Sequence, residues 1–285
     1  MPPGPNGPGA FSFRGGVLGC HGRDAVVQWK KRGEEGSVLT YFFTAQEHIP
    51  PGLGFSLFGP DHLLWLAGIA AGIIGLCALY RPLPPPARRR LLIGLCLLTL
   101  AMDLTWDLIL VCTGQFMLNY LPLDLCGVAM FGELLWAVKR EPLTGELCWC
   151  LFLPGAAMAL LFPNWTPLPF WNYLYLRSFL LHGLLVAVPV MGVAGGDLRP
   201  DPRRLPKCLA VSLAMCVPVC VIDRILDQNF FFLNVPSPGS PLELFARWWG
   251  NPGYLLGLPL LLGLVWVILY VPLALYRRRK KDLSP

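Results

Sequence analysis

A few ionisable and nucleophilic residues stand inside otherwise apolar stretches of the sequence. Such side chains are costly within a bilayer, so they indicate either function or ion pairing. A thiol and an imidazole are the types that covalent acyl transfer needs, because the imidazole can take the thiol proton and leave a nucleophilic thiolate. Cys126 and His182 are therefore the candidate nucleophile and base. The others are Asp103, Asp107, Asp124, Glu133 and Arg177.

Asp103 and Asp107 are four residues apart, so both carboxylates lie on one face of a helix. This pair is open to two interpretations: an acid–base or cation site, or an ion pair with Arg177 that only holds helices together. A catalytic zinc site needs about three protein ligands. Of the 4 histidines only His182 lies deep in an apolar stretch, so we expect no metal and no other cofactor.

The elements that must position these residues are long apolar runs. The chain has 285 residues, of which 55% are hydrophobic and only 14% charged. A bilayer span needs about 20 mainly apolar residues. We therefore predict an all-α polytopic membrane helix bundle of about seven spans. The predicted spans are 62–80, 91–112, 121–138, 146–162, 171–194, 205–222 and 254–276.

Lysine and arginine are concentrated on alternate connections. Fifteen of them follow the first, third, fifth and seventh runs, whereas the opposite connections after residue 37 carry only Arg224 and Arg247. The positive-inside rule predicts that the fifteen are cytoplasmic, the N-terminal side is outside and residues 277–285 form a basic cytoplasmic tail. We expect a multi-pass protein of a bacterial inner or plasma membrane. Its partners are then membrane lipids and not nucleic acid, because the basic clusters sit at the ends of apolar runs.

Residues 1–37 do not fit this pattern, because they carry five basic residues on the predicted outer side and hold no apolar run. The stretch just before Val38 corresponds largely to purine-rich codons, as a translated ribosome-binding site would. We expect translation to begin near Val38, so that the transmembrane domain covers 38–276. The alternative is a genuine disordered tail.

Most of the ten cysteines fall inside apolar runs, where cysteine usually behaves as a small hydrophobe. We therefore expect few or no disulfides. Cys148 and Cys150 point to different faces of a helix, which indicates packing.

Five short motifs in the sequence resemble those of a known protein family. They are H-L-L-W at 62–65, L-P-L-D-L-C at 121–126, S-F-L-L-H-G at 178–183, N-F-F-F-L at 229–233 and W-W-G-N-P-G-Y at 248–254. In order and spacing they resemble the YwaF-like family of bacterial integral membrane proteins, over about residues 40–276. That family is distantly similar to eukaryotic transmembrane protein 164, a lipid acyltransferase. It is also similar to androgen-induced hydrolases of fatty acid esters, in which a threonine replaces the cysteine.

The resemblance implies a lipid acyltransferase or hydrolase in which Cys126 forms a thioester and His182 acts as base and then acid. Asp103, Asp107 or Asn229 would orient the imidazole or bind a lipid headgroup, and Asp124 and Arg177 are further candidates for a supporting or headgroup-binding role. Asp124 stands where the family often has histidine, and Phe230 and Phe231 replace its usual tyrosine and methionine. Two alternatives stay open: a small transporter with a polar path, and a non-catalytic membrane protein whose buried charges are paired.

Overall fold

The helices of the bundle follow the apolar runs. In the computed structural model, residues 40–282 are described, with side chains to residue 275. Short 3₁₀ turns cover Gln46–His48, Leu118–Tyr120, Pro202–Arg204 and Gly253–Leu256. This part of the chain holds no strand, so the predicted all-α fold is confirmed. The helices are α1 Pro60–Tyr80, α2 Pro85–Cys112, α3 Leu125–Lys139, α4 Pro142–Leu161, α5 Tyr173–Ala194, α6 Leu205–Leu226, α7 Pro241–Trp249 and α8 Gly257–Asp282.

Seven helical stretches among residues 40–282 are long and apolar enough to cross a bilayer, as the sequence predicts. They are α1, α2, Leu118–Lys139, α4, α5, Pro202–Leu226 and Gly253–Leu275. α4 and α5 are the most buried, whereas α1, α6 and α8 expose most of their apolar residues. The central helices therefore form the core, and the exposed apolar faces of the others must meet lipid.

The two ends of the bundle differ in charge. We call the end at which α1, α3, α5 and α8 begin the outer end, after the predicted orientation, and the opposite one the arginine-rich end. The orientation itself stays a prediction. The expected start near Val38 concerns a segment outside the described residues.

α2 begins earlier than the predicted span start at residue 91. Pro85 opens the helix, where a missing N–H does no harm because the first turn has no partner for it. Arg88, Arg89 and Arg90, which the sequence analysis puts in a connection, thus lie in the first turns of a membrane-spanning helix. The predicted connection is therefore shorter in the structure, and its three arginines belong to α2.

α4 is interrupted by a π-helical turn, Cys148–Phe152, just before Pro154. Proline has no N–H, so it leaves the carbonyl of Cys150 without its usual helical donor. Trp266 of α8 donates its indole N–H to that carbonyl at 3.0 Å, which fastens α8 to α4. Cys148 and Cys150 are fully buried, and the nine cysteines of the described range form no disulfide.

At the outer end, segment 40–59 folds over the helices and is held by Asn172. The Asn172 side chain donates to the carbonyls of Tyr41 and Thr44 at 2.7 and 2.9 Å. Its oxygen accepts the backbone N–H groups of Leu174 and Tyr175, which caps α5. One fully buried amide therefore fixes both the segment and the start of the helix that carries His182.

Candidate functional site

Cys126 lies in the first turn of α3, half-buried, and packs against the main apolar core. Its neighbour Asp124 is the N-cap of α3, because the carboxylate accepts the N–H of Gly127 at 2.7 Å. Sequence reasoning gave Asp124 only a supporting or headgroup-binding role and missed the cap. An aspartate directly before an apolar run is a signal for this cap. The carboxylate therefore fixes the turn from which the thiol projects.

His182 lies in the middle of α5 with its ring held on two sides. Its Nδ1 is 2.6 Å from the carbonyl oxygen of Ser178. The ring stacks on the indole of Trp165, with centroids 5.0 Å apart and planes at 20°. A carbonyl oxygen can only accept, so Nδ1 carries the proton and Nε2 carries the lone pair. No described residue is hydrogen-bonded to Nε2, which leaves it as a free proton acceptor.

His62 shows the opposite arrangement. Its ring is fully buried, Nδ1 accepts the N–H of Phe58 at 2.9 Å, and Nε2 is bonded to the carbonyl of Leu160 at 2.8 Å. Both nitrogens are in use, and the bonds tie the start of α1 to the end of α4. His62 is therefore a structural histidine, whereas His182 has one ring nitrogen without a described partner.

Asp103 of α2 and Arg177 of α5 form an ion pair between their helices, with each side chain 13% exposed. This is the pairing that the simpler interpretation of the sequence expected. Asp107, one turn further along α2, has a buried carboxylate oxygen without a partner in the described chain. The Nε atom of Arg177 is likewise buried without a described hydrogen-bond partner. The structure thus joins Asp103 to Arg177 and leaves Asp107 unpaired.

The candidate nucleophile and base are not joined by a hydrogen bond in the described structure. Both α3 and α5 begin at the outer end, and the two helices pack together. The Trp136 indole fills the space that a β-carbon at Gly192 would occupy. Cys126 and His182 each precede one of these contact residues by ten positions, about 15 Å along a helix. This register puts the thiol and the imidazole at a similar depth on neighbouring helices.

A polar cavity of about 720 Å³ opens at the outer end, and both Asp124 and Asn229 line it. Asn229 also shapes its own loop, because its amide donates to the carbonyl of Val235 at 2.8 Å and accepts the N–H of Asn234 at 3.0 Å. Asp223 lines the same cavity and is 1% exposed. It was not among the site residues predicted from the sequence. One of its oxygens has no described partner, so the cavity holds a buried, unsatisfied acceptor.

Glu133 lies two turns beyond Cys126 in α3 and is 1% exposed. Neither carboxylate oxygen has a hydrogen-bond partner within the described residues. It is an isolated polar group in an apolar core, deeper than the candidate site. Across residues 40–282, no group of three or more histidine, cysteine, aspartate or glutamate side chains is placed to hold a metal ion.

Seven apolar spans around a buried core, with ionisable side chains inside the spans, define a multi-pass membrane helix bundle. A family model described as "TMEM164 family" matches residues 57–270, so the chain belongs to the TMEM164 family. That match runs from α1 to about the middle of α8 and includes both Cys126 and His182. A search of the curated proteins found no match, and a search of the solved structures found none either.

Proposed function

We propose that this protein transfers acyl groups between membrane lipids, or to water, with Cys126 as nucleophile and His182 as general base and acid. The family model gives the family membership, and the activity proposed here is the one that the sequence resemblance implies. With the predicted orientation, it also makes the outer leaflet of a bacterial cell membrane the source of substrate, because Cys126 lies at the outer end of α3 and His182 lies no deeper than the middle of α5.

The observation that carries the proposal is the free lone pair on His182 Nε2. A general base must be the correct tautomer and must be held in place, usually by a bond from its other nitrogen. The Ser178 carbonyl and the Trp165 ring supply both conditions. The contrast with His62, whose two nitrogens are both used, argues against a purely structural role for His182.

The proposed first step moves the Cys126 thiol proton to Nε2. The thiolate attacks the carbonyl carbon of a phospholipid ester, the S–C bond forms and the ester C–O bond breaks. The departing lyso-lipid oxygen takes the proton from the imidazolium, which leaves a thioester on Cys126. In the second step a lyso-lipid hydroxyl or water gives its proton to Nε2 and attacks the thioester. The C–S bond breaks, and the sulfur takes the proton back.

This chemistry requires Nε2 to come within hydrogen-bond reach of the thiol, directly or through one water. Catalytic hydrogen bonds are often long before substrate binds and tighten in the complex. Cys126 and His182 are both half-buried and stand on helices that pack together, and the proposal requires a lipid ester to reach them there. Asp124 would then act by holding the first turn of α3, and Asn229 by shaping the polar cavity toward a headgroup.

Lipidomics on a host strain that lacks the gene tests the proposal. We expect the wild-type gene to restore the acyl distribution of membrane phospholipids and Cys126→Ala to fail, with both proteins present at equal levels. Cys112→Ala is the matched control, because Cys112 is exposed at the end of α2 and serves no proposed role. Restoration by Cys126→Ala would end the proposal.

The Asp103–Arg177 ion pair favours the second candidate, a non-catalytic membrane protein with paired charges. That candidate predicts that Cys126→Ala and Cys112→Ala behave alike. A transporter is less well supported, because the polar cavity at the outer end shares no lining residue with a second cavity, which lies at the arginine-rich end and is lined by Arg140 and Glu146 among others. Glu133, which lies between Asp124 and Arg140 along α3, lines neither cavity.

A further inference from the structure

A second cavity, of about 1010 Å³, lies at the arginine-rich end, away from the proposed site. Its apolar lining residues include Trp136, which is 2% exposed. Its walls carry five arginines from four parts of the chain: α2, the α3–α4 connection, the loop after α5 and the 3₁₀ turn before α6. They are Arg89, Arg90, Arg140, Arg199 and Arg204.

The carboxylates in the wall are already engaged. Glu146 is 1% exposed, accepts the N–H of Asp201 at both oxygens, and pairs with Arg204 at 3.1 Å. It also accepts the hydroxyl of Tyr270 in α8. Glu146 therefore holds this end of the bundle together and is fully occupied.

Asp197, the other carboxylate of the wall, is engaged through one oxygen by two groups that do not line the cavity. It pairs with Arg88 at 3.1 Å and accepts the Tyr80 hydroxyl at 2.8 Å. Four of the five lining arginines consequently have no carboxylate partner among the described residues.

Arg140 is the clearest of these four. It ends α3 in a left-handed conformation, and its guanidinium lies over the Trp136 ring, 4.9 Å from the centroid. Its Nη1 is buried without a described partner. The five guanidinium groups outnumber the two carboxylates of the wall and repel one another, and a buried unpaired donor is unfavourable. Both penalties disappear if an anion enters the cavity.

The backbone adds to this preference. Pro85 and Pro86 at the start of α2, and Pro142 at the start of α4, also line the cavity. The N-termini of two long helices thus open onto it, and their dipoles favour negative charge. The planar donors of arginine match the oxygens of phosphate in pairs.

We propose that this cavity binds a phosphate group, carried by an anionic phospholipid headgroup or by a soluble phosphate compound. The first turns of a spanning helix lie at headgroup depth, where basic pockets between helices bind such lipids. The site is independent of the proposed acyl-transfer chemistry, so either can fail alone.

The test uses the full chain in phosphatidylcholine nanodiscs and two probes. Inorganic pyrophosphate is titrated while the unfolding temperature is followed, and phosphatidylglycerol is added to the nanodisc and its retention is measured by native mass spectrometry. The variant is Arg90→Gln with Arg199→Gln, because neither side chain has a described partner and the fold should persist. The control is Arg81→Gln with Lys207→Gln, which removes two exposed charges from the same end outside the cavity.

We expect the cavity variant to weaken binding at least about tenfold, since two charge-assisted contacts are lost, and the control to change it by less than about twofold. Pyrophosphate binding without lipid retention identifies a soluble ligand, and the reverse identifies a headgroup. Arg140→Asn, which tolerates the left-handed backbone, should act like the cavity variant. Absence of binding to both probes, or equal loss in cavity and control variants, overturns the proposal.

Discussion

His182 donates its Nδ1 proton to the carbonyl oxygen of Ser178 across 2.6 Å, and this bond fixes which nitrogen is basic. The acceptor belongs to the same helix, one turn earlier, so the orientation is set within α5 itself. The Trp165 ring holds the other side. What remains available for chemistry is Nε2.

The variant His182→Asn tests the roles of the two ring nitrogens separately. The asparagine amide can still donate to the Ser178 carbonyl, but nothing replaces Nε2. We expect an unfolding temperature close to wild type, and phospholipid acyl exchange reduced by about 10²–10⁴, the usual contribution of a general base. Differential scanning fluorimetry and an exchange assay with labelled phospholipid measure both. Exchange at the wild-type rate would show that Nε2 is not the base.

The Asp103–Arg177 pair should behave as a buried ion pair. Asp103→Leu leaves the Arg177 guanidinium buried without its counter-charge, and should destabilise the protein by about 3 kcal/mol. Asp103→Leu combined with Arg177→Met removes both charges and should recover most of that loss. Denaturation of the three proteins in the same detergent measures the coupling. Additive losses in the double variant would show that the pair does not act as a unit.

Glu133 and Glu146 form a matched comparison, because both are 1% exposed. Glu146→Leu deprives Arg204, Tyr270 and the N–H of Asp201 of their acceptor, and should destabilise the protein by about 3 kcal/mol. Glu133→Leu removes an acceptor that no described group uses, and should leave the unfolding temperature unchanged or raise it. Equal losses in thermal unfolding would contradict this difference.

Asp124 gives a test of its capping role. Asp124→Asn keeps an oxygen for the Gly127 N–H, whereas Asp124→Ala removes it at a cost of about 1 kcal/mol. We therefore expect Asp124→Asn to match wild type in both stability and acyl exchange. Should Asp124→Asn lose exchange while it keeps its unfolding temperature, the carboxylate charge itself takes part in the site.

The seven spans could be predicted from sequence because hydropathy is a local property and each run is long. The early start of α2 was missed, because a cluster of arginines is typical of a connection between spans. In the structure the helix begins at Pro85, before Arg88. α7 was missed as well. Its nine residues are too short for a span, and they follow a stretch rich in proline, glycine and serine.

The site was only partly predictable for a different reason. Residue types predicted an ion pair between Arg177 and an aspartate of α2. They did not show whether Asp103 or Asp107 forms it, because the two aspartates lie on one helix face. The depth of His182 within its apolar run singled it out in the sequence, but the run does not show that both nitrogens of His62 are bonded, one of them to the distant Leu160, or that Nε2 of His182 is free. Such distinctions depend on contacts between distant segments, which spacing along the chain does not contain.

The central claim is that Cys126 carries an acyl group as a thioester. The direct measurement is peptide mass spectrometry of the purified protein after incubation with a phospholipid that has one isotope-labelled acyl chain, without an added acceptor. We predict a labelled acyl adduct on Cys126 that neutral hydroxylamine releases, with no adduct on Cys112 and a strong decrease in His182→Asn. An unmodified Cys126 in a preparation that still exchanges acyl chains between lipids would contradict the account.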